Sequence, residues 1–138
     1  MRTYESSALA RLKSCGLRPT RQRLALAELL GGRGPRHVTA EDVFREARDA
    51  GIPVSLATVY NTLNQFTQVG LLREIAIDGS RTYFDTNISD HHHFFVEGGD
   101  TLMDIPAHDV SVDNLPTPPE GMEISRVEVV VRPRKKGS

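Results

Sequence analysis

In the first half of the chain apolar residues recur every three or four positions, and further on they alternate with polar ones over short runs. The first pattern predicts amphipathic helices and the second half-buried strands. A short helix is expected over Glu5 to Ser14 with Ala8, Leu9 and Leu12 inward, broken by Gly16-Leu17-Arg18-Pro19. Thr20 can cap a second helix, Arg21 to Leu30, which stops at Gly31-Gly32. A third begins at Thr39, where Thr-Ala-Glu-Asp has the form of a capping box, and runs to Ala50 with Val43, Phe44 and Ala47 inward. After Gly51-Ile52-Pro53, Ser55 caps a fourth helix and Gly70 ends it in a left-handed conformation. Its apolar stripe is Leu56, Val59, Leu63 and Phe66, which should face a core.

The opposite face of that fourth helix carries Ala57, Thr58, Asn61 and Gln65, with Tyr60 on the flank. Amides, hydroxyls and methyl groups are the side chains that lie in a major groove and touch base edges, whereas a merely solvated face is richer in Lys and Glu. Two short strands follow, Leu72 to Ile77 and Arg81 to Phe84, turning at Asp78-Gly79. Helices followed by a hairpin make the winged-helix plan, in which the last helix enters the major groove. Ser55, Ala57, Thr58, Tyr60, Asn61 and Gln65 are then the groove-facing candidates, and Arg18 and Arg21 the candidates for the DNA backbone.

The rest of the chain reads as a separate piece. Strands are expected over His93 to Glu97 and Thr101 to Ile105, joined by Gly98-Gly99-Asp100. A short helix is expected over Asp109 to Leu115, then the stiff Pro116-Thr-Pro-Pro119 and a longer strand from Met122 to Arg132. So small a unit cannot offset its chain entropy by its own burial, and pairing with a second copy would solve this. The expected fold is α+β, with a winged-helix DNA-binding domain over residues 1–85 and a small α/β dimerisation and ligand-sensing domain over residues 86–138. A homodimer would present two recognition helices to a palindromic operator in double-stranded DNA.

Charge sharpens the division. The net charge of −1 hides eight Lys/Arg against two Asp/Glu from Met1 to Arg36, and five against nine from Thr86 to Ser138. One end therefore suits phosphates and the other something else. Arg18, Arg21, Arg23, Arg33 and Arg36 are either solvated helix faces or phosphate contacts. A single cysteine, Cys15, excludes an internal disulfide and any site of several thiolates. No run approaches the length of a membrane span and no secretory segment is seen, so a cytoplasmic protein without membrane contact is expected.

His91-His92-His93 lies at the joint, near Asp85 and Asp90. On an extended segment His91 and His93 share a face and His92 serves the other. Imidazole with carboxylate suits zinc, iron or manganese, and a neutral imidazole suits an axial haem position; the plainer alternative is a solvated loop. A ligand bound at an interdomain hinge can bias how two DNA-binding units are set, as a sensor requires.

Thr39-Ala-Glu-Asp42, Leu56-Ala-Thr-Val-Tyr60, Leu63-Asn-Gln-Phe66, Gly70-Leu71 and the triple histidine together resemble the ferric uptake regulator superfamily, over about Leu12 to Arg132. Val54-Ser-Leu-Ala-Thr-Val-Tyr-Asn-Thr-Leu-Asn64, Thr82-Tyr-Phe-Asp-Thr-Asn87, His91-His-His-Phe-Phe-Val-Glu97 and Pro118-Pro-Glu-Gly-Met-Glu-Ile124 are similar to its haem-responsive iron response regulators of alphaproteobacteria. The resemblance implies that Arg18 enters the minor groove and that Tyr60 contacts a base, with Asn61 in a place often held by arginine. It maps the regulatory metal site onto His37, Asp85, His93 and Asp104, and gives His92 to a second site. This chain departs from the pattern at Phe94 and Phe95, where the family has an aspartate and a histidine, and it lacks the paired Cys-x-x-Cys zinc site. Cys15 is followed by Gly16, so the Cys-Pro haem motif of some relatives is missing, and His108 reads as a surface residue.

The function this implies is a dimeric regulator of iron and haem metabolism genes that occupies DNA when iron is low. Haem bound through His91, His92 and His93 would inactivate it. The alternative is a repressor with Mn²⁺, Fe²⁺ or Zn²⁺ as co-repressor. An enzyme, for instance a histidine-metal hydrolase, is disfavoured, since the chain has no His-Glu-x-x-His pattern and no glycine-rich phosphate loop.

Overall fold

A computed structural model describes residues 4–77, 81–98 and 101–137, with the backbone alone for residues 4–7 and 76. The turn expected at Asp78-Gly79 and the Gly99-Asp100 part of the later turn lie outside the described residues. Contacts divide the chain into two compact units, Met1–Ile88 and Ser89–Ser138. The division falls after Ile88 because Thr86 and Asn87 are tied to the first unit. Thr86 N–H donates to the Arg36 carbonyl at 3.1 Å, and Asn87 N–H to Asp85 Oδ1 at 2.8 Å.

The first unit contains α1 (Tyr4–Ser14), α2 (Arg21–Gly31), β1 (His37–Val38), α3 (Ala40–Asp49), α4 (Leu56–Gln68), β2 (Arg73–Ala76) and β3 (Thr82–Asp85). Side chains cap three of the helices. Thr20 accepts from Arg23 N–H, and Ser55 from Thr58 N–H at 3.0 Å. Thr39 and Asp42 form a reciprocal capping box, each accepting the other's backbone N–H at 3.1 and 3.0 Å. After α4, Gly70 at φ 84° lets its N–H reach the Thr67 carbonyl and lets Leu71 N–H reach Phe66. This double closure satisfies carbonyls the helix end would leave unpaired.

These ends set the helices around one core. Leu12, Leu26, Val43, Val59, Leu63, Phe66 and Phe84 are at most 1% exposed. Leu56 departs from expectation at 37% exposed, since it lies in the first turn of α4 before the core begins. Thr62, at 5%, joins the buried stripe with Val59, Leu63 and Phe66. The sheet has the order β1-β3-β2, antiparallel throughout, with His37 opposite Asp85 and Arg73 opposite Asp85 from the other side.

The second unit is a sheet of order β5-β4-β6, formed by β4 (His91–Phe95), β5 (Leu102–Pro106) and β6 (Val130–Val131). β4 is antiparallel to β5 and parallel to β6. No helix covers Asp109 to Leu115; a single 3-10 turn, Ala107–Asp109, stands before it. β-branched Val110 and Val112, Asn114 at φ 57° and Pro116 explain the loss of helix. The long strand expected over Met122 to Arg132 shrinks to Val130–Val131. Just before it, the Val129 N–H donates to His92 Nδ1 at 3.0 Å instead of to a ladder carbonyl. Among the described residues Ile105 is the single buried apolar side chain of this unit. No described helix is long and apolar enough to cross a membrane.

Candidate functional site

Two groups of side chains stand out, one in each unit. In the first, α4 presents Ser55, Ala57, Asn61 and Asn64 as exposed residues, with Thr58, Tyr60 and Gln65 half-buried. The helix has no acidic residue in its first turn and no charged residue along its length. Several of its polar groups are already held. Ser55 Oγ donates to Thr58 Oγ1 at 2.9 Å, and the Tyr60 hydroxyl donates to Glu41 at 3.3 Å. Partial burial and then the Glu41 carboxylate push the Tyr60 phenol above its ordinary value, keeping it a neutral hydroxyl. Gln65 Oε1 accepts from Arg23 Nε and Nη2 at 3.3 and 3.2 Å, which ties α4 to α2. A cleft between these two helices is lined by Thr20, Gln22, Arg23, Thr58, Asn61, Thr62 and Gln65.

The arginines of the basic end divide by role. Arg18 and Arg21 are exposed, just ahead of α2 and at its first residue. Arg36 instead makes a two-pronged pair with Glu46 at 2.7 and 2.8 Å and donates to the Leu29 carbonyl at 3.3 Å. It is neither a solvated face nor a phosphate contact, and Arg33 joins the same carboxylate at 3.3 Å. That neighbourhood, led by the Arg36 hydrogen bonding, holds Glu46 below its ordinary value.

Carboxylates and imidazoles form the other group. In the first unit the β1–β3 register brings His37 Nε2 to 3.4 Å from Asp85 Oδ2, on a carboxylate only 1% exposed. In the second unit strand alternation puts His91 and His93 on one face, their rings 4.6 Å apart. The β4–β5 register sets Asp104 directly opposite His93. Asp104 Oδ1 thereby lies 3.3 Å from His91 Nε2 and 3.5 Å from His93 Nε2. Each of the three offers a ligand atom within 4.8 Å of the others. His91 Nδ1 lies 2.6 Å from the Ser89 carbonyl, which can only accept, so Nδ1 carries the proton. With the ring neutral, its Nε2 lone pair faces a carboxylate oxygen. Two acceptors in that position call for a cation or a proton between them.

His92 lies on the other face, held by the Val129 N–H, and is not brought to His93. All three histidines are buried, at 8, 9 and 2% exposure, so the tract is no solvated loop. His108 is exposed, and Cys15 is a free, half-buried thiol. Sequence reasoning missed Arg23 as a partner of Gln65, because the pair joins residues 42 apart through helix packing. The His91–His93 pairing was already legible in strand alternation.

A model of the ferric uptake regulator family matches residues 14–131 of the chain. The chain belongs to that family. The ferric uptake regulation protein of Neisseria meningitidis serogroup C is 33% identical over 90 residues, 65% of this chain and 62% of its own length. That of Bordetella parapertussis is 36% identical over 85 residues, 62% and 61% of the two chains. The matched stretch thus spans about three fifths of these ferric uptake regulation proteins. Among solved structures, the ferric uptake regulator of Pseudomonas aeruginosa with manganese superposes with a TM-score of 0.75 at 26% identity, covering 94% of this chain and 98% of that one. The Francisella tularensis ferric uptake regulator with iron shares the fold, with a TM-score of 0.71 at 19% identity over 88% and 93% of the chains.

Proposed function

We propose that this chain is a metal-dependent, DNA-binding transcription regulator rather than an enzyme, with a divalent cation such as Mn²⁺, Fe²⁺ or Zn²⁺ as co-repressor. The observation that carries this reading is the buried His91–His93–Asp104 cluster, whose apposed acceptors fit a cation of the nitrogen- and oxygen-preferring kind. The family resemblance draws His37, Asp85, His93 and Asp104 into one regulatory centre. His91 joins the donor set, and His92 belongs to a second site if it binds an ion at all. Membership in the family and the likeness to a manganese-containing regulator support this choice.

In this reading residues 1–88 are a winged-helix DNA-binding domain with α4 as the recognition helix. Arg18 enters the minor groove, as the resemblance implies, Arg21 addresses the DNA backbone, and Ser55, Ala57, Thr58, Tyr60, Asn61 and Gln65 address the major groove. Residues 89–138 are the dimerisation and sensing domain. Its poor apolar core and the exposed Met103, Leu115, Met122 and Ile124 support a second copy as partner, and so a palindromic operator. Ligands drawn from both domains would couple ion affinity to DNA affinity by one and the same factor.

The haem reading uses the same tract and rests on the resemblance to the iron response regulators. It has less support, because the three imidazoles are buried, with His91 and His93 engaged at Asp104 and His92 by the Val129 N–H. Titration of metal-stripped protein with Mn²⁺, followed by the electron paramagnetic resonance of the free ion, tests the choice. Saturable uptake that weakens at least about tenfold in Asp104→Ala is expected. Uptake that does not saturate, together with a saturable haemin spectrum, would overturn it.

A further inference from the structure

The Arg23–Gln65 contact has a consequence for what the recognition helix can read. A glutamine amide ordinarily offers a carbonyl oxygen with two lone pairs and an amino group with two N–H donors. That combination pairs with the Hoogsteen edge of adenine, which presents one acceptor and one donor. Here both lone pairs are committed. Arg23 Nε and Nη2 both donate to Gln65 Oε1, and a guanidinium can only donate, so the amide cannot be turned the other way round. Arg23 is in turn fixed by donating Nη1 to the Arg18 carbonyl at 2.9 Å. The Gln65 amino group, in the same α2–α4 cleft as Thr58 and Asn61, makes no hydrogen bond to another described residue.

We propose that Arg23 is a positioning residue that makes Gln65 a donor-only reader, selective for a base edge rich in acceptors. Guanine, with O6 and N7, is the edge that satisfies two donors; adenine presents an amino group where an acceptor is wanted, and cytosine presents only a donor. The inference rests on the reading of α4 as a recognition helix and deepens it.

The test is selection of duplexes from a randomised library by the whole 138-residue chain with Mn²⁺, comparing the unaltered chain with Arg23→Met, Gln65→Ala and Gln65→Glu. Unaltered protein is expected to select guanine at one position of each half-site. Gln65→Ala should lose that preference by about tenfold, the order expected of one good pair of base-edge bonds. Arg23→Met frees Oε1 and should move the same position towards adenine, leaving the others unchanged. Gln65→Glu keeps an acceptor for Arg23 and so keeps the fold, yet removes both donors and should abolish the guanine preference. Melting temperatures of all variants separate unfolding from altered reading.

If Arg23→Met weakens every sequence equally with an unchanged profile, Arg23 is a phosphate or structural contact and the inference falls. An unchanged guanine preference in Gln65→Glu would also overturn it. If the unaltered protein selects no sequence at all, the regulator reading itself fails, and this inference with it.

Discussion

Single atoms decide most of the chemistry in this chain. One carboxylate oxygen of Asp104 faces two imidazole nitrogens, and the Ser89 carbonyl fixes which nitrogen of His91 is left to bind. That His91 and His93 share a face is readable from strand alternation alone. That Asp104 stands opposite His93 is not, because the register of two strands is set by pairing across the sheet; the family resemblance alone put the two together. At the other end of the chain Ser55 caps α4 with one lone pair and steadies Thr58 with its proton. Ser55→Ala should therefore lower the stability of the folded protein by about 1 kcal/mol, read from urea denaturation at constant m-value. A loss below about 0.3 kcal/mol would mean that the cap contributes no more than water does.

At the scale of elements, what is local in sequence is what can be read from it. The helices follow from apolar period and caps, and the structure keeps Thr20, Thr39 and Ser55 as their first residues outside. The short partners escape. β1 has two residues, too few for any period, and β6 pairs in parallel with a strand far back in the chain, with His93 opposite Val130. The apolar alternation from Met122 onward promised a longer strand, but Val129 gives its N–H to an imidazole and only one neighbouring strand is available.

Arg36 and Glu46 join α3 to the segment leading into β1, and their interaction is pH-dependent in a defined direction. Because Glu46 is held below its ordinary value of 4.5, its contribution is complete above that value and is lost as pH falls through the lower folded-state value. Glu46→Gln should cost about 1 kcal/mol near neutrality. The melting temperatures of variant and parent should converge as the pH drops below 4.5. A constant difference down to strong acid would show that the pair contributes through shape rather than charge.

For the whole molecule, the second unit has too little apolar core to be satisfied by itself. It exposes Met122 at 68% and Met103 at 52%. A second copy covering these side chains predicts a dimer in sedimentation velocity, and Met122→Asp should shift it towards monomer while leaving the helical circular dichroism of the first unit intact. A parent protein that sediments as a monomer at micromolar concentration would remove the basis for a two-fold operator. On the proposed reading assembly, metal and DNA form one linked system, with His91, His93 and Asp104 in one unit of the chain and α4 in the other.

Coupling between the ion and the operator is read from the duplex itself. Fluorescence anisotropy of a selected operator duplex is followed with metal-stripped protein, then with Mn²⁺, then with chelator, and separately with haemin. The expected result is tight binding only in the presence of the ion, reversed by chelator, and lost in a His93→Ala/Asp104→Ala variant that still melts cooperatively. Tight binding by the stripped protein, indifferent to chelator and abolished by haemin, would uncouple the ion from DNA and return the histidine tract to haem.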